Sequence, residues 1–299
     1  RDSSVTGVQT CALPIYNEYG SHDAEVADFM AARYLVSNRE FLAFVEAGCY
    51  GDQQWWTEEG WNWRQFRQAE HPLFWINNSQ GWLLRTMANE IPMPWNWPVE
   101  VNYLEARAFC NWKTAQTGKP IRLPTEDEWH RLHDLCGVPD QQDWERAPGN
   151  IDLAHWGSSC PVDRFKQGDF FDLIGNVWQW TETPIYPFHG FAVHPWYDDF
   201  SPPTFDTRHN LIKGGSWIST GNEATRDARY AFRRHFFQHA GVRYVESSAP
   251  VLIHDDQYER DSLAAQYCHA HYGPEQFGVP NFQQRCAEIC LSLMQGRRM

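Results

Sequence analysis

Residues 211–217 read LIKGGSW and residues 241–243 read GVR. Gly214 and Gly215 allow a tight backbone crossing that side chains would obstruct. Upstream, NVWQW at residues 176–180 is another short apolar run, and Gly, Pro, Asp and Asn residues bound all of these runs. This alternation is typical of short strands joined by turns. The region from Asn150 to about Val245 is therefore predicted to be a turn-rich sheet with few helices.

The chain before this region carries helix signals. In three capping boxes, a Ser, Asn or Thr is followed three residues later by Glu, and each predicts a helix start. These pairs are Ser37 with Glu40, Asn102 with Glu105, and Thr125 with Glu128. Gly118 predicts the end of the second helix. Residues 55–75, WWTEEGWNWRQFRQAEHPLFW, have many aromatic residues and no clean period, so they are predicted to be irregular.

The composition excludes several classes of protein. Of the 299 residues, 42% are apolar and 21% are charged, which is typical of a globular chain. The formal net charge of -13 argues against a nucleic-acid partner. No apolar run approaches the roughly 20 residues that a membrane span needs. The eight cysteines form no Cys-x-x-Cys pair, so they are interpreted as free thiols of a cytoplasmic protein.

Both ends of the chain are predicted to differ from its middle. Residues 5–15, VTGVQTCALPI, back-translate with ordinary codons into a sequencing-library adapter, so residues 1–15 are interpreted as non-native. One domain is then predicted over residues 16–247. Beyond it, residues 257–273 and 280–299 have the pattern of two amphipathic helices. Because a piece of this size is too short for a comfortable separate domain, residues 248–299 are interpreted as the truncated start of one.

Three motifs in order carry a family resemblance. RLPTEDEW (122–129), GNVWQW (175–180) and GGSW with GVR (214–217 and 241–243) resemble the formylglycine-generating-enzyme, or sulfatase-modifying-factor, fold, which is related to C-type lectins. The resemblance implies an α+β fold that is rich in loops and short strands. Formylglycine generation needs two cysteines after the GGS motif to bind copper and the substrate thiol. This chain has Ser219 and Ala224 there, and a hydroxyl cannot replace a thiolate at copper.

Within that family, three longer segments resemble the 5-histidylcysteine sulfoxide synthases of ovothiol biosynthesis: residues 97–113, 194–217 and 229–243. These enzymes join cysteine sulfur to the imidazole of histidine with O₂ at a non-heme Fe(II). The resemblance implies that the iron ligands lie in an N-terminal DinB-like helical bundle, so no iron ligand is expected in this chain. It also implies that residues 248–299 lead into a methyltransferase domain, which would use S-adenosylmethionine. The fragment alone is expected to be inactive.

The same resemblance suggests residues of a substrate pocket. Tyr197 aligns with a tyrosine beside the iron that donates a proton or hydrogen atom and directs the reaction toward C–S bond formation. Arg229, Arg233 or Arg234 is expected to clamp a substrate carboxylate, because a guanidinium matches a carboxylate with two hydrogen bonds. Asp198 is expected to bind a substrate ammonium. The alternatives are a structural ion pair for the arginines and a turn cap for Asp198.

A structural calcium site is also implied, since formylglycine-generating enzymes hold calcium with two loops of similar pattern. Carboxylate, amide and backbone oxygens are the ligands that Ca²⁺ prefers. The first loop matches Asn150, Ile151, Asp163 and Phe165, and the second matches Asp172, Gly175, Val177 and Gln179. Gln179 replaces a glutamate of the family and removes one charge. The alternative is that these residues only stabilise turns.

Four histidines are not expected to have a functional role. His235 and His239 are four apart, which on a helix would place both on one face. Their segment lies where the resembling fold has loop and strand, so a metal role is not expected. His130 and His133 are predicted to be surface or cap residues. For the whole protein, a non-catalytic lectin-like binding or scaffold domain remains the alternative, while a missing Trp-Asp pair disfavours ergothioneine-type synthesis.

Overall fold

Four helices and a set of short strands make up the part of the chain described by the computed structural model, namely residues 4–6, 22–79, 81–140, 147–188 and 204–251. The helices are α1 (Asn38–Glu46), α2 (Glu58–Arg67), α3 (Tyr103–Thr117) and α4 (Glu126–Leu135). Two short 3₁₀ turns, Cys49–Gly51 and Gln53–Trp55, connect α1 to α2. None of the helices in these ranges is long and apolar enough to cross a membrane.

Fourteen short strands fall within the same described ranges. In chain order they are β1 (Ser4–Thr6), β2 (Asp23–Glu25), β3 (Met30–Ala31), β4 (Trp75–Asn78), β5 (Gly81–Arg85), β6 (Glu90–Pro92), β7 (Ile121–Arg122), β8 (Lys166–Gln167), β9 (Phe170–Phe171), β10 (Trp178–Pro184), β11 (His209–Lys213), β12 (Tyr230–Arg233), β13 (Ala240–Gly241) and β14 (Val245–Glu246). With four helices and many short strands, the fold is α+β, as predicted.

A four-stranded sheet in the order β12-β11-β10-β13 forms the centre of the fold. The β10–β11 and β11–β12 pairs are antiparallel, whereas β13 runs parallel to β10. Every residue of β10 is buried, including the polar side chains of Gln179, Thr181, Glu182 and Thr183 that lie between or after its two tryptophans. Three-stranded sheets β4-β5-β6 and β3-β14-β7 lie around it. β10, β11 and β13 overlap the runs NVWQW, LIKGGSW and GVR, so the strands predicted there are confirmed.

The predicted capping boxes of α3 and α4 are confirmed. Asn102 and Glu105 bond reciprocally at the start of α3, and Thr125 and Glu128 do so at the start of α4. Gly118 ends α3 at a φ of +68°, the left-handed conformation that glycine adopts most readily.

At the start of α1, only half of the predicted capping box is present. The hydroxyl of Ser37 accepts a hydrogen bond from the Glu40 N–H at 3.2 Å. The Glu40 carboxylate instead accepts from Lys113 Nζ of α3 at 2.6 Å. A tertiary ion pair has therefore taken the side chain that the local motif would have used.

The irregular structure predicted for residues 55–75 is wrong for its first half, because α2 occupies Glu58–Arg67. Thr57 caps the helix by accepting a hydrogen bond from the Gly60 N–H at 3.1 Å. Glu58 and Glu59 lie in its first turn, where carboxylates interact favourably with the positive helix end. This Thr-Glu-Glu start was the available signal, and the aromatic residues around it concealed the helical period.

Aromatic side chains join the helices to the central sheet. Phe41 of α1 and Phe109 of α3 are fully buried and stack with ring centroids 5.2 Å apart. Trp180 of β10 is also fully buried, and its indole N–H donates to the carbonyl of Val101 at 3.0 Å. Buried aromatic rings contribute large apolar areas, so short elements can share one core. Trp178, Trp180 and Trp217 are core residues, as predicted.

Candidate functional site

The guanidinium of Arg229 is held in a buried ion-pair network. Its Nε and Nη2 donate to the two carboxylate oxygens of Glu126 at 3.0 and 3.1 Å. Nζ of Lys213 lies 3.5 Å from the same carboxylate. Burial opposes ionisation of Glu126, but the charges of Arg229 and Lys213 outweigh it and hold the pKa of Glu126 well below its usual range. The carboxylate that Arg229 grips in this structure is therefore that of Glu126, the geometry of a structural ion pair.

The other two predicted arginines lie closer to the surface. Arg234 donates from Nε to Asn210 Oδ1 at 2.8 Å and from Nη1 to Glu59 Oε2 at 3.0 Å. Arg233 ends β12, pairs in register with His209, and is exposed. Of the three arginines, Arg233 is thus the one whose guanidinium is accessible to a carboxylate from solution.

Tyr197 and Asp198 lie outside the described residues, so their proposed roles stay predictions. The nearest described residue before them is Phe188. Its ring centroid lies 3.9 Å from Cζ of Arg229, a cation–π distance.

Two residues of the predicted calcium set have the properties of ion ligands. Asn150 and Asp172 are fully buried, and Oδ1 of each has no hydrogen-bond partner among the described residues. Asn176 joins them, because its N–H donates to the Asn150 carbonyl at 2.8 Å and its Nδ2 donates to Asp172 Oδ2 at 3.1 Å. Burial raises the pKa of Asp172 to about 8. Buried amide and carboxylate oxygens without partners fit a calcium ion.

The remaining residues of the first calcium loop differ from one another in burial and in hydrogen bonding. Asp163 is exposed, yet its charge adds to the raised pKa of Asp172, so the two carboxylates interact. The carbonyl of Phe165 accepts a hydrogen bond from the Asp172 N–H at 2.9 Å. Ile151 is fully buried. The first loop therefore brings its oxygens toward Asp172 of the second loop.

Gln179, in the second loop, already faces a positive charge. Its Oε1 accepts from Nε of the fully buried Arg243 at 2.7 Å, and its Nε2 donates to the carbonyl of Leu173 at 3.0 Å. A guanidinium thus satisfies the oxygen that a calcium ion would need. Gly175 has a φ of +82°, and Val177 is fully buried. The calcium set stays a prediction, and Asn150 and Asp172 are the members that fit it best.

The structure separates His235 from His239. The segment between them forms turns rather than a helix, and His235 is exposed. His239 is half-buried, and its Nδ1 lies 2.7 Å from Oε2 of Glu100. Sequence reasoning missed this pair. Glu100 lies in no motif and is far from His239 along the chain, so no local signal marks it.

The surface or cap positions predicted for His130 and His133 are wrong. His133 is fully buried and His130 is half-buried, with its Nε2 inaccessible. Burial lowers the pKa of His133 to about 3 and holds that of His130 well below its usual value. The reason is that α4 is covered on more than one face. Trp129 of this helix packs in a second cluster with Ile151 and Ile174, outside the main core.

Comparison with known proteins shows the family to which this fold belongs. The model of the sulfatase-modifying factor enzyme 1-like domain matches residues 5–248. This chain belongs to that family. Hercynine oxygenase from Mycobacterium tuberculosis is 30% identical over 260 residues, which cover 79% of this chain and 56% of that protein. Ergothioneine biosynthesis protein 1 from Schizosaccharomyces pombe is 24% identical over 79% of this chain and 27% of its own length.

The match therefore spans about half the length of hercynine oxygenase and about a quarter of the Schizosaccharomyces pombe protein. Among solved structures, PvdO from Pseudomonas aeruginosa superposes with a TM-score of 0.54 at 15% identity, covering 82% of this chain and 91% of that chain. At this identity the likeness concerns the fold alone.

This sulfatase-modifying factor domain carries no thiol at the two positions where formylglycine generation implies cysteines. A Cβ on Gly215 would lie 2.9 Å from Cβ of Ala224 and 3.3 Å from Cβ of Ser219, so both side chains border one glycine. Oγ of Ser219 accepts from the Ser216 N–H at 2.9 Å. A methyl group and a bonded hydroxyl cannot replace the soft ligands that copper requires.

Within residues 22–79, 81–140, 147–188 and 204–251, no three His, Cys, Asp or Glu side chains come together as metal ligands. The described residues therefore do not fit a mononuclear iron.

Proposed function

We propose that this domain forms the substrate-binding wall of an iron- and O₂-dependent sulfoxide synthase that joins cysteine sulfur to the imidazole of histidine in ovothiol biosynthesis. The observation that carries the proposal is the 30% identity to hercynine oxygenase across 79% of this chain. The segments at residues 97–113, 194–217 and 229–243 support the ovothiol-type substrates by resemblance. The missing cysteine pair argues against formylglycine generation.

The proposal needs an iron-binding module and a methyltransferase module in addition to residues 16–247. An N-terminal DinB-like bundle supplies the iron ligands, and a methyltransferase that uses S-adenosylmethionine follows residues 248–299. The present domain contributes substrate contacts. Arg233, being exposed, is the best placed of the three arginines to bind a substrate carboxylate, since Glu126 already occupies Arg229. Tyr197 donates the proton or hydrogen atom that directs the outcome.

The test is a Tyr197→Phe substitution in the full-length protein. Without the phenol, oxidation of the thiol is expected to compete with C–S bond formation. The ratio of histidylcysteine sulfoxide to cysteine sulfinate should fall by about tenfold or more, measured by mass spectrometry after incubation with Fe(II), O₂, cysteine and histidine. Tyr34→Phe is the control, because Tyr34 is exposed and stacks on Phe171.

Three outcomes would change the proposal. An unchanged product ratio removes Tyr197 from the mechanism. Sulfoxide formed with hercynine but not with histidine assigns the protein to ergothioneine-type synthesis instead. If the full-length protein contains no iron-binding bundle and forms no sulfoxide with either substrate, the domain is a non-catalytic lectin-like binding or scaffold module.

A further inference from the structure

A small pocket lies between the β5–β6 turn and the turn that enters β13. Its volume is about 110 Å³. Pockets for drug-sized ligands have volumes of roughly 300–1,000 Å³, so this smaller pocket suits a molecule with a single ring. Phe74, Leu84, Met87 and Trp217 make its lining mostly apolar.

The polar part of the lining contains the His239–Glu100 pair. Nδ1 of His239 lies 2.7 Å from Oε2 of Glu100, and the two side chains are 33% and 12% exposed. An ionised carboxylate can only accept hydrogen bonds, so Nδ1 must be the donor. The Nε2 atom is then the ring nitrogen that remains for a ligand, as in other carboxylate–histidine pairs.

The imidazole is fixed in place before any ligand arrives. His239 has a φ of +48°, and its carbonyl accepts from the Trp178 N–H at 3.0 Å. Its ring is stacked with Phe74 at 6.1 Å and meets Trp217 edge-on at 4.8 Å. Few non-glycine residues adopt this backbone conformation, and it persists only where the surroundings enforce it.

The hydrogen-bond donors of the pocket favour a ligand that accepts hydrogen bonds, such as a carboxylate. Burial opposes protonation of His239, but the hydrogen bond and charge of Glu100 outweigh it and raise the pKa of His239. When protonated, the ring donates from Nε2 as well. Arg85 also lines the pocket, and its guanidinium pairs with the Glu90 carboxylate at 3.3 Å. The indole Nε1–H of Trp217, on the same wall, is buried without an acceptor among the described residues.

We propose that this pocket binds a small carboxylate with a flat apolar ring, whose carboxylate accepts a hydrogen bond from Nε2 of His239 and whose ring packs against Phe74 and Trp217. Glu100 orients the imidazole and favours its protonated form. The site requires neither iron nor the reaction proposed for the whole protein, so it stands or falls separately.

Calorimetric titration of the intact chain with benzoate tests the inference. Benzoate should bind at about pH 6, and its affinity should fall as pH rises through the raised pKa of His239, because the imidazolium is lost there. His239→Asn should abolish binding, and asparagine is chosen because it tolerates positive φ. Glu100→Gln should shift the loss of binding to lower pH.

The control is His235→Asn, which removes an exposed histidine four residues away and should leave benzoate affinity unchanged. Circular dichroism melting shows whether each variant is folded. If His239→Asn does not fold, the pH profile of Glu100→Gln still decides the test. The inference is overturned if wild-type chain does not bind millimolar benzoate at about pH 6. Tighter binding of benzylamine than of benzoate, or a Glu100→Gln variant with an unshifted pH profile, would contradict it equally.

Discussion

Buried oxygens without partners are the single-residue features that most favour a bound ion in this domain. Oδ1 of Asn150 and Oδ1 of Asp172 both lack a hydrogen-bond partner among the described residues. An unsatisfied buried polar atom costs about 1–3 kcal/mol. A Ca²⁺ ion would remove that cost, whereas Gln179 needs no ion because Arg243 already satisfies it.

Calcium removal should therefore destabilise the domain. Calcium at about 100 times its dissociation constant should raise the free energy of unfolding by about 2.7 kcal/mol over the EDTA-treated chain. Asp172→Asn should abolish this response, since it removes the charge that attracts the ion. Thermal melts with CaCl₂ and with EDTA measure the difference.

The matched control is Asp169→Asn, because Asp169 is an exposed acid just before β9 in the same region. It should leave the calcium response intact. Equal melting temperatures with CaCl₂ and EDTA in the wild-type chain would show that Asn150 and Asp172 only stabilise turns.

Single elements were predictable where their signals are local. The capping boxes of α3 and α4 and the glycine that ends α3 depend on atoms within a few residues, so the sequence pattern alone located them. Helix α2 was missed because its aromatic residues contact several neighbours and obscure the helical period. The complete capping box predicted for α1 does not form for a different reason: Lys113, which is remote in sequence, binds the Glu40 carboxylate.

The two glycines Gly118 and Gly214 should respond very differently to alanine. Both have positive φ, but a Cβ on Gly118 would meet nothing within 4 Å, whereas one on Gly214 would overlap the Leu173 carbonyl oxygen. Gly118→Ala should cost about 1 kcal/mol from backbone strain alone. Gly214→Ala should cost about 3 kcal/mol or more, because strain and steric overlap add.

Urea unfolding of both variants measures these costs, and Gly118→Ala serves as the control for the strain of positive φ itself. Similar costs for the two variants would mean that the backbone at the GGSW turn relaxes, and that Gly214 is not required for a close crossing.

At the scale of the whole molecule, a buried ion network joins elements that are distant in sequence. Glu126 begins α4, Lys213 ends β11, and Arg229 directly precedes β12. Their contacts at 3.0–3.5 Å connect the helix to the central sheet. Removing one member of a buried pair leaves an uncompensated charge, which is more damaging than losing the pair.

Glu126→Gln should therefore destabilise the fold by about 3–5 kcal/mol, because two buried cations lose their partner. The control is Glu90→Gln, which breaks the exposed Arg85–Glu90 pair and should cost less than about 1 kcal/mol. Chemical denaturation followed by tryptophan fluorescence measures both. Equal stability of the two variants would show that water enters the network and screens it.

The family resemblance of three motifs implied the α+β class. The apolar runs, glycines and caps in the sequence were enough to predict the strands around GNVWQW and GGSW and the starts of α1, α3 and α4. These features follow from local sterics and hydrogen bonding, which act over a few residues. Tertiary packing alone decided that Arg229 holds Glu126, that His133 is buried, and that His239 meets Glu100. Each of these depends on contacts between remote segments, and burial and charge pairing set them after the chain has folded.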